Sequence, residues 1–228
     1  MIVIGDIHGL PKTLEALMKK CPDDPDGFCF VGDLIDRGPD SRAVVEIVKE
    51  GGHHCVRGNH EDMALDHLRR EHKSRLYPQG CWLWNGGEQG RASYGPADEG
   101  LDEHLDWFET LPLHLDFPDI GLFVSHSGVR PYGPLTSYDI SRYATTLALT
   151  EEDINESVLW YRGKPARLED RFHIFGHTPA KKPIITDYYA NIDTGGVYNR
   201  KDFKFLTALQ YPSMDIIQQE NIDGELSD

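Results

Sequence analysis

Five short stretches collect the residue types that bind cations or carry protons. They are "GDIHG" (5–9), "GDLIDRGPDS" (32–41), "RGNHED" (57–62), "SHSG" (125–128) and "GHTPA" (176–180). Between them they offer Asp6, His8, Asp33, Asp36, Arg37, Asn59, His60, His126 and His177. One aspartate or histidine at a chain turn is ordinarily a helix cap or a turn former. Here such residues recur after five successive apolar runs, "MIVI", "GFCFV", "HHCV", "GLFVS" and "FHIF". In open α/β sheets ligands gather outside the carboxyl ends of the strands, so residues from five strand ends converge on one focused site. Carboxylate, amide and imidazole together suit manganese, iron or zinc in an open coordination site. A closed structural zinc site would use about four ligands, usually with cysteine among them, and no cysteine falls in these stretches.

Positioning such residues takes a scaffold, and the text between them supplies it. Short continuous apolar runs bounded by glycine and polar residues suit buried strands. "LPKTLEALMKKC" (10–21) places Leu14, Leu17 and Met18 at helical spacing, and "SRAVVEIVKEG" (41–51) does so with Val44, Ile47 and Val48. Strand, helix, strand, helix, strand implies an α/β core. Residues 62–115 read instead as a helical insertion over that core, with helices in "DMALDHLRREHKSRL" and "GLDEHLDWFETLP". Between those helices lies "WLWNGGEQGRASYG" (82–95), readable as a hydrophobic lid in which Trp82 and Trp84 pack, or as a substrate wall formed by Asn85, Gly86 and Gly87. Residues 135–170 form a second excursion, with "TEEDI" as a helix start. Beyond Asp187, "YYANIDTGGVY" and "FKFLTALQY" alternate as strands do, which predicts a mixed or antiparallel later sheet. The expected organisation is a single domain over 1–211 and an acidic tail over 212–228.

Bulk properties narrow the partners. The 228 residues carry a formal net charge of −15, from 23 basic and 38 acidic side chains. That balance argues against nucleic acid or an anionic membrane as the main partner, while leaving room for a locally positive site, to which metal ions could contribute. The run "MIVIGD" reads as a strand rather than a secretory leader, and no apolar run reaches transmembrane length, so a cytoplasmic protein is expected. Cys21, Cys29, Cys55 and Cys81 have no paired spacing and read as reduced packing residues. Other hydrolytic chemistries find no footing: Cys55 is followed by "VRGNHE", not by a Cys-x₅-Arg loop, and there is neither a GxxxxGK[ST] loop nor a GxSxG elbow.

Taken together, "GDIHG", "GDLIDRG", "RGNHE", "SHSG" and "GHTP" resemble the calcineurin-like metallophosphoesterases, most closely the phosphoprotein-phosphatase branch in its bacterial and bacteriophage form. The resemblance implies an α/β fold in which two mixed sheets form a β-sandwich flanked by helices. It implies two divalent metal ions, manganese first, with iron or zinc as alternatives. One ion would be held by Asp6, His8 and Asp33, and the other by Asp33, Asn59, His126 and His177. His60 would be the general acid, Asp36 its orienting carboxylate, and Arg37 a phosphate clamp, with Asn59 beside the bound phosphate. Arg162, in "LWYRG", matches a second phosphate-binding arginine. The activity implied is in-line attack on a phosphate ester by a hydroxide shared between the metals. The expected substrate is a phosphoserine, phosphothreonine or phosphotyrosine protein or peptide; diadenosine tetraphosphate, a small phosphoester, is the alternative. Many members of the wider superfamily carry Gly-His-x-His late in the chain. Thr178 and Pro179 follow His177 here, which fits the phosphoprotein-phosphatase branch and leaves the first ion fewer protein ligands.

Overall fold

The computed structural model describes residues 1–69, 77–131 and 156–224. Its first sheet joins β1 (Ile2–Ile4), β2 (Phe28–Phe30) and β3 (His54–Cys55) in parallel. On the other side of β1, β9 (Phe205–Gln210) and β10 (Asp215–Glu220) add antiparallel strands, giving the order β10-β9-β1-β2-β3. The second sheet contains β4 (His114–Phe117), β5 (Leu122–Ser125), β6 (Phe172–Phe175), β7 (Ile184–Ile185) and β8 (Tyr189–Asn191) in the order β4-β5-β6-β8-β7. In it β5, β6 and β8 run parallel, and β4 and β7 are antiparallel edges. Both sheets are mixed, as the sequence suggested for the later one.

The two-residue period of a strand explains how the layers stack. Val3 turns inward with Cys29 and Val31 to meet Val124, Ile174 and Ile192 of the second sheet, all fully buried. Its neighbours Ile2 and Ile4 turn outward with Phe30 and pack under the helices. Those helices are α1 (Pro11–Lys20), which contributes Leu14 and Leu17, and α2 (Ser41–Glu50), which contributes Val44 and Val48. Fully burying one such side chain is worth about 1.5–3 kcal/mol. Asp40 starts α2 by accepting the Ala43 N–H at 2.9 Å. The outer face of the second sheet holds a smaller cluster around Phe123, Leu159 and Leu168.

The insertion also packs on the helix side of the first sheet. It comprises α3 (Asn59–Leu68), α4 (Glu88–Ala92) and α5 (Leu101–Thr110), and buries Leu65, Trp82, Leu105 and Phe108 in the same cluster as α1 and α2. Helix α3 starts three residues before the periodic text that predicts it, and the part of that text beyond residue 69 lies outside the described residues. So does "TEEDI". Trp82 packs as the lid reading expects, but Trp84 is 77% exposed and does not.

The expected acidic tail is corrected over residues 215–223. The sheet continues past residue 211: β10 pairs with β9 from Asp215 to Glu220, and Ile217 packs against the main cluster. Asp223 then reaches α1, whose own N-cap, Leu10, has no side-chain oxygen. Its carboxylate accepts the N–H groups of Lys12 and Thr13, at 3.1 and 2.8 Å, and the Thr13 hydroxyl at 2.6 Å. A distant residue thus caps the helix that the local sequence leaves uncapped.

Candidate active site

The loops after β1, β2, β5, β6 and β8 and the start of α3 converge at one end of the sandwich. They line a cavity of about 70 Å³ whose wall includes Asp6, His8, Asp33, Arg37, Asn59, His60, Arg162 and His177. Eight of the ten residues expected at the site therefore face one space. The other two, Asp36 and His126, are fully buried behind it and touch it through His60 and Asn59.

Backbone strain marks the same residues. His8, Asp33, Asp36, Arg37 and His177 all adopt left-handed conformations, with φ of 53°, 50°, 74°, 67° and 69°. Each such residue costs on the order of 1–3 kcal/mol and persists only where its surroundings over-determine it. Glu61 is one of the groups that does so. Its buried carboxylate accepts the N–H groups of Asp33 (2.9 Å), Leu34 (2.8 Å) and Gly58 (2.8 Å), locking the "GDLID" loop to the start of α3. Asp33 accepts the His60 N–H at 3.0 Å, so it also caps that helix. Close approach explains Gly176: a Cβ there would lie 1.9 Å from Asp6 Oδ1. Asp6 uses the space to accept the His177 N–H with both oxygens, at 3.1 and 3.0 Å.

Two groups of ligand atoms, each drawn together within 4.8 Å, share Asp33: one with His8 and His60, the other with His126 and His177. In the second group the Val31 carbonyl accepts the Nδ1 proton of His126 at 2.8 Å, which leaves Nε2 with a lone pair. That atom lies 2.8 Å from Asn59 Oδ1, and His177 Nδ1 lies 3.0 Å from the same oxygen. Burial holds His126 down to about 4 and His177 to about 2, so both imidazoles are neutral, as metal ligands must be. His126 Nε2 and Asn59 Oδ1 are two acceptors facing each other, an arrangement that fits a cation. In the first group His8 donates Nδ1–H to the Ile35 carbonyl at 2.9 Å, again baring Nε2. The Arg37 guanidinium donates to this Nε2 at 2.6 Å and to His60 Nε2 at 2.9 Å. Burial pushes Asp6 well above the ordinary carboxylate range, and the neighbouring charges of Asp193 and Asp33 add to it. Burial raises Asp33 and Asp193 as well. Buried carboxylates in excess of nearby positive charge are stabilised by divalent ions. The donor set therefore fits two of them.

The model of the calcineurin-like phosphoesterase family matches residues 1–217. The chain belongs to that family. Its members use a dinuclear metal centre, and this chain has the enzyme's candidate ligands in place. Among its relatives, an asymmetrical bis(5'-nucleosyl)-tetraphosphatase, PrpE, of Anoxybacillus flavithermus is 30% identical over 94% of this chain and 91% of the relative. Serine/threonine-protein phosphatase 1 of Salmonella typhimurium is 32% identical over 86% of each. A protein serine/threonine phosphatase from Saccharomyces cerevisiae shares the fold, with a TM-score of 0.62 at 18% identity, over all of this chain and 80% of that one. The phosphoesterase fold and the phosphoprotein-phosphatase branch expected from the motifs are both supported. The protein is a metal-dependent phosphoester hydrolase. None of its described helices is long and apolar enough to cross a membrane.

Sequence reasoning missed four residues of this phosphoesterase site. Glu61 stood in a quoted motif without a role. Asp193, in "NIDTGG", lines the cavity and accepts the Gly195 N–H at 2.9 Å; a carboxylate between an apolar run and a glycine pair was the same signal that exposed Asp6 and Asp33. Trp160 and Tyr198 also line the wall, and Arg37 lies 5.7 Å from the Tyr198 ring centre. No local pattern distinguishes them from core aromatics.

Proposed function

We propose that the protein hydrolyses phosphate monoesters on protein side chains, serine and threonine first and tyrosine second, with manganese as the metal. The observation that carries the reading is the sharing of Asp33 by two ligand groups beside two cavity-lining arginines. Asp6, His8 and Asp33 would hold one ion; Asp33, Asn59, His126 and His177 would hold the other. When bound, such a pair supplies a nucleophile from water near neutral pH and neutralises charge on the phosphoryl oxygens. Arg37 and Arg162 orient the phosphate, for which a planar guanidinium fork is well suited.

His60 delivers the proton to the leaving oxygen from Nε2. Its Nδ1 donates to Asp36 Oδ2 at 2.6 Å, which fixes the ring. Burial, and after it the Arg37 charge, holds His60 well below the ordinary imidazole range. Transfer of Arg37 onto a phosphate dianion would remove that repulsion and free Nε2 to face the leaving oxygen. General acid catalysis of this kind is worth about 10²–10⁴ in rate.

Asymmetrical hydrolysis of a bis(5'-nucleosyl) tetraphosphate is the second reading. A specific observation favours it: the tetraphosphatase relative aligns over 94% of the chain, the protein phosphatase over 86%. Trp160 and Tyr198 at the cavity wall could stack a base. The deciding experiment is kcat/KM of the manganese-loaded protein on phosphoserine and phosphothreonine peptides against diadenosine tetraphosphate, with Asp33→Asn as the blank. Preference for the peptides is expected; preference for the dinucleotide replaces the first reading by the second.

A further inference from the structure

The stretch 81–93 of the insertion is tied to the loop that carries Asp36 and Arg37. The Arg37 N–H donates to the Gly86 carbonyl at 3.3 Å, and the Arg42 N–H to the Ser93 hydroxyl at 3.0 Å. The third tie is a side chain. Trp82, 3% exposed, donates its indole Nε1–H to Asp36 Oδ2 at 2.9 Å. This is the same oxygen that receives His60 Nδ1–H.

The surroundings leave the carboxylate no other anchor. Asp36 Oδ1 is buried and has no hydrogen-bond partner among the described residues. It abuts Gly90, where a Cβ would lie 2.2 Å away. The indole in turn lies against Gly87, where a Cβ would come within 2.5 Å of its Cδ2. Gly86, at φ 102°, makes the turn that brings this segment over the ring. Filling the space would require only an apolar ring. Nothing in packing requires a donor aimed at the one oxygen on which the histidine depends. A carboxylate held by a single donor can rotate and exchange its oxygens; a second donor on the same oxygen fixes which one faces the imidazole.

We propose that Trp82 is a positioning residue for proton transfer: its indole N–H fixes the Asp36 carboxylate, and through it the direction in which His60 Nε2 faces the leaving oxygen. This rests on the reading of His60 as the proton donor.

The test uses the manganese-loaded protein and aryl phosphates, from p-nitrophenyl phosphate, whose leaving group needs little protonation, to phenyl phosphate, whose leaving group needs it. Trp82→Phe removes the donor. Replacement of Trp82 by 3-benzothienylalanine removes it while keeping the shape of the ring, and decides the matter if the phenylalanine variant folds poorly. Either change is expected to lower kcat on phenyl phosphate by about tenfold and on p-nitrophenyl phosphate by less than about twofold. KM and manganese stoichiometry should not change, and the same replacement in an Asp36→Asn background should add nothing. His60→Asn serves as the reference. If it discriminates between the two substrates and the Trp82 variants do not, the Trp82 role is overturned and the acid stands. If His60→Asn also lowers both substrates equally, the reading of His60 falls, and the role of Trp82 with it.

Discussion

The two halves of the metal site are built from similar ligands but held in different ways. Around Asn59, the ring of His126 is fixed by a backbone carbonyl and its metal-facing nitrogen meets only other acceptors. Around His8, a backbone carbonyl fixes the ring too, but its free nitrogen is engaged by the Arg37 guanidinium. The first half presents acceptor atoms suited to a cation. The second already contacts one, carried on a long side chain that can leave. On the proposed ligand set, a dication held by His8 would displace Arg37 from that nitrogen and leave its guanidinium for the substrate phosphate. On that reading, filling the metal site and arming the phosphate site would be parts of one exchange.

The largest expected effect breaks both halves at once. Asp33→Asn should lower turnover by about a thousandfold or more, beyond the 10²–10³ typical of one lost preorganised contact. Metal analysis by mass spectrometry should then find fewer than two ions per chain. The same variant tests the electrostatics. Burial raises Asp33 to about 7, so below that pH the metal-free carboxyl keeps its proton and an incoming ion must expel it. Calorimetry in buffers of different ionisation enthalpy should count more protons released at pH 6 than at pH 8.5, and Asp33→Asn should shrink that difference.

Arg37→Ala should separate the halves. Removing the competing guanidinium is expected to tighten manganese at one site on the order of tenfold, while turnover falls by a similar factor. Weaker manganese binding in this variant would contradict the exchange. The smallest effect concerns the anchorage of the His8 half. Asp223→Ala leaves the first turn of α1 uncapped, three residues beyond His8. It should cost about 1 kcal/mol, which lowers the melting temperature by about 2–4 °C for a chain of this size. Unchanged melting would mean that water caps the helix equally well.

The candidate ligand set was legible because it is local: each metal-type residue follows an apolar run, all but His126 sit beside glycine, and the five stretches carry their chemistry in their own letters. Helices α1, α2 and α5 were legible from apolar spacing. Strand β10 was not, because four of the six residues of "DIIQQE" are polar and half of the strand is exposed, and only its pairing with β9 makes it a strand. Trp82 was half legible. Its burial follows from its type, but the direction of its N–H depends on a contact 46 residues away in sequence. Glu61 shows the same limit from the other side: its spacing after Gly58 suggests a helix start, whereas its bonds to Asp33 and Leu34 belong to the tertiary fold.

The position of β1 has a consequence for how the protein is made. Its register pairs Ile2 with Phe28 on one side and with Gln210 on the other, a partner about two hundred residues away. Synthesis delivers the first strand about two hundred residues before its second neighbour. His177 and Asp193 also emerge late. Closing so long a loop is slow and entropically costly before its contacts repay it. A chain synthesised only part-way therefore holds the "GDIHG" loop without the strand that flanks it and without His177 and Asp193. The sheet around β1 and the wall of the cavity are thus completed together, by the same late stretch of chain.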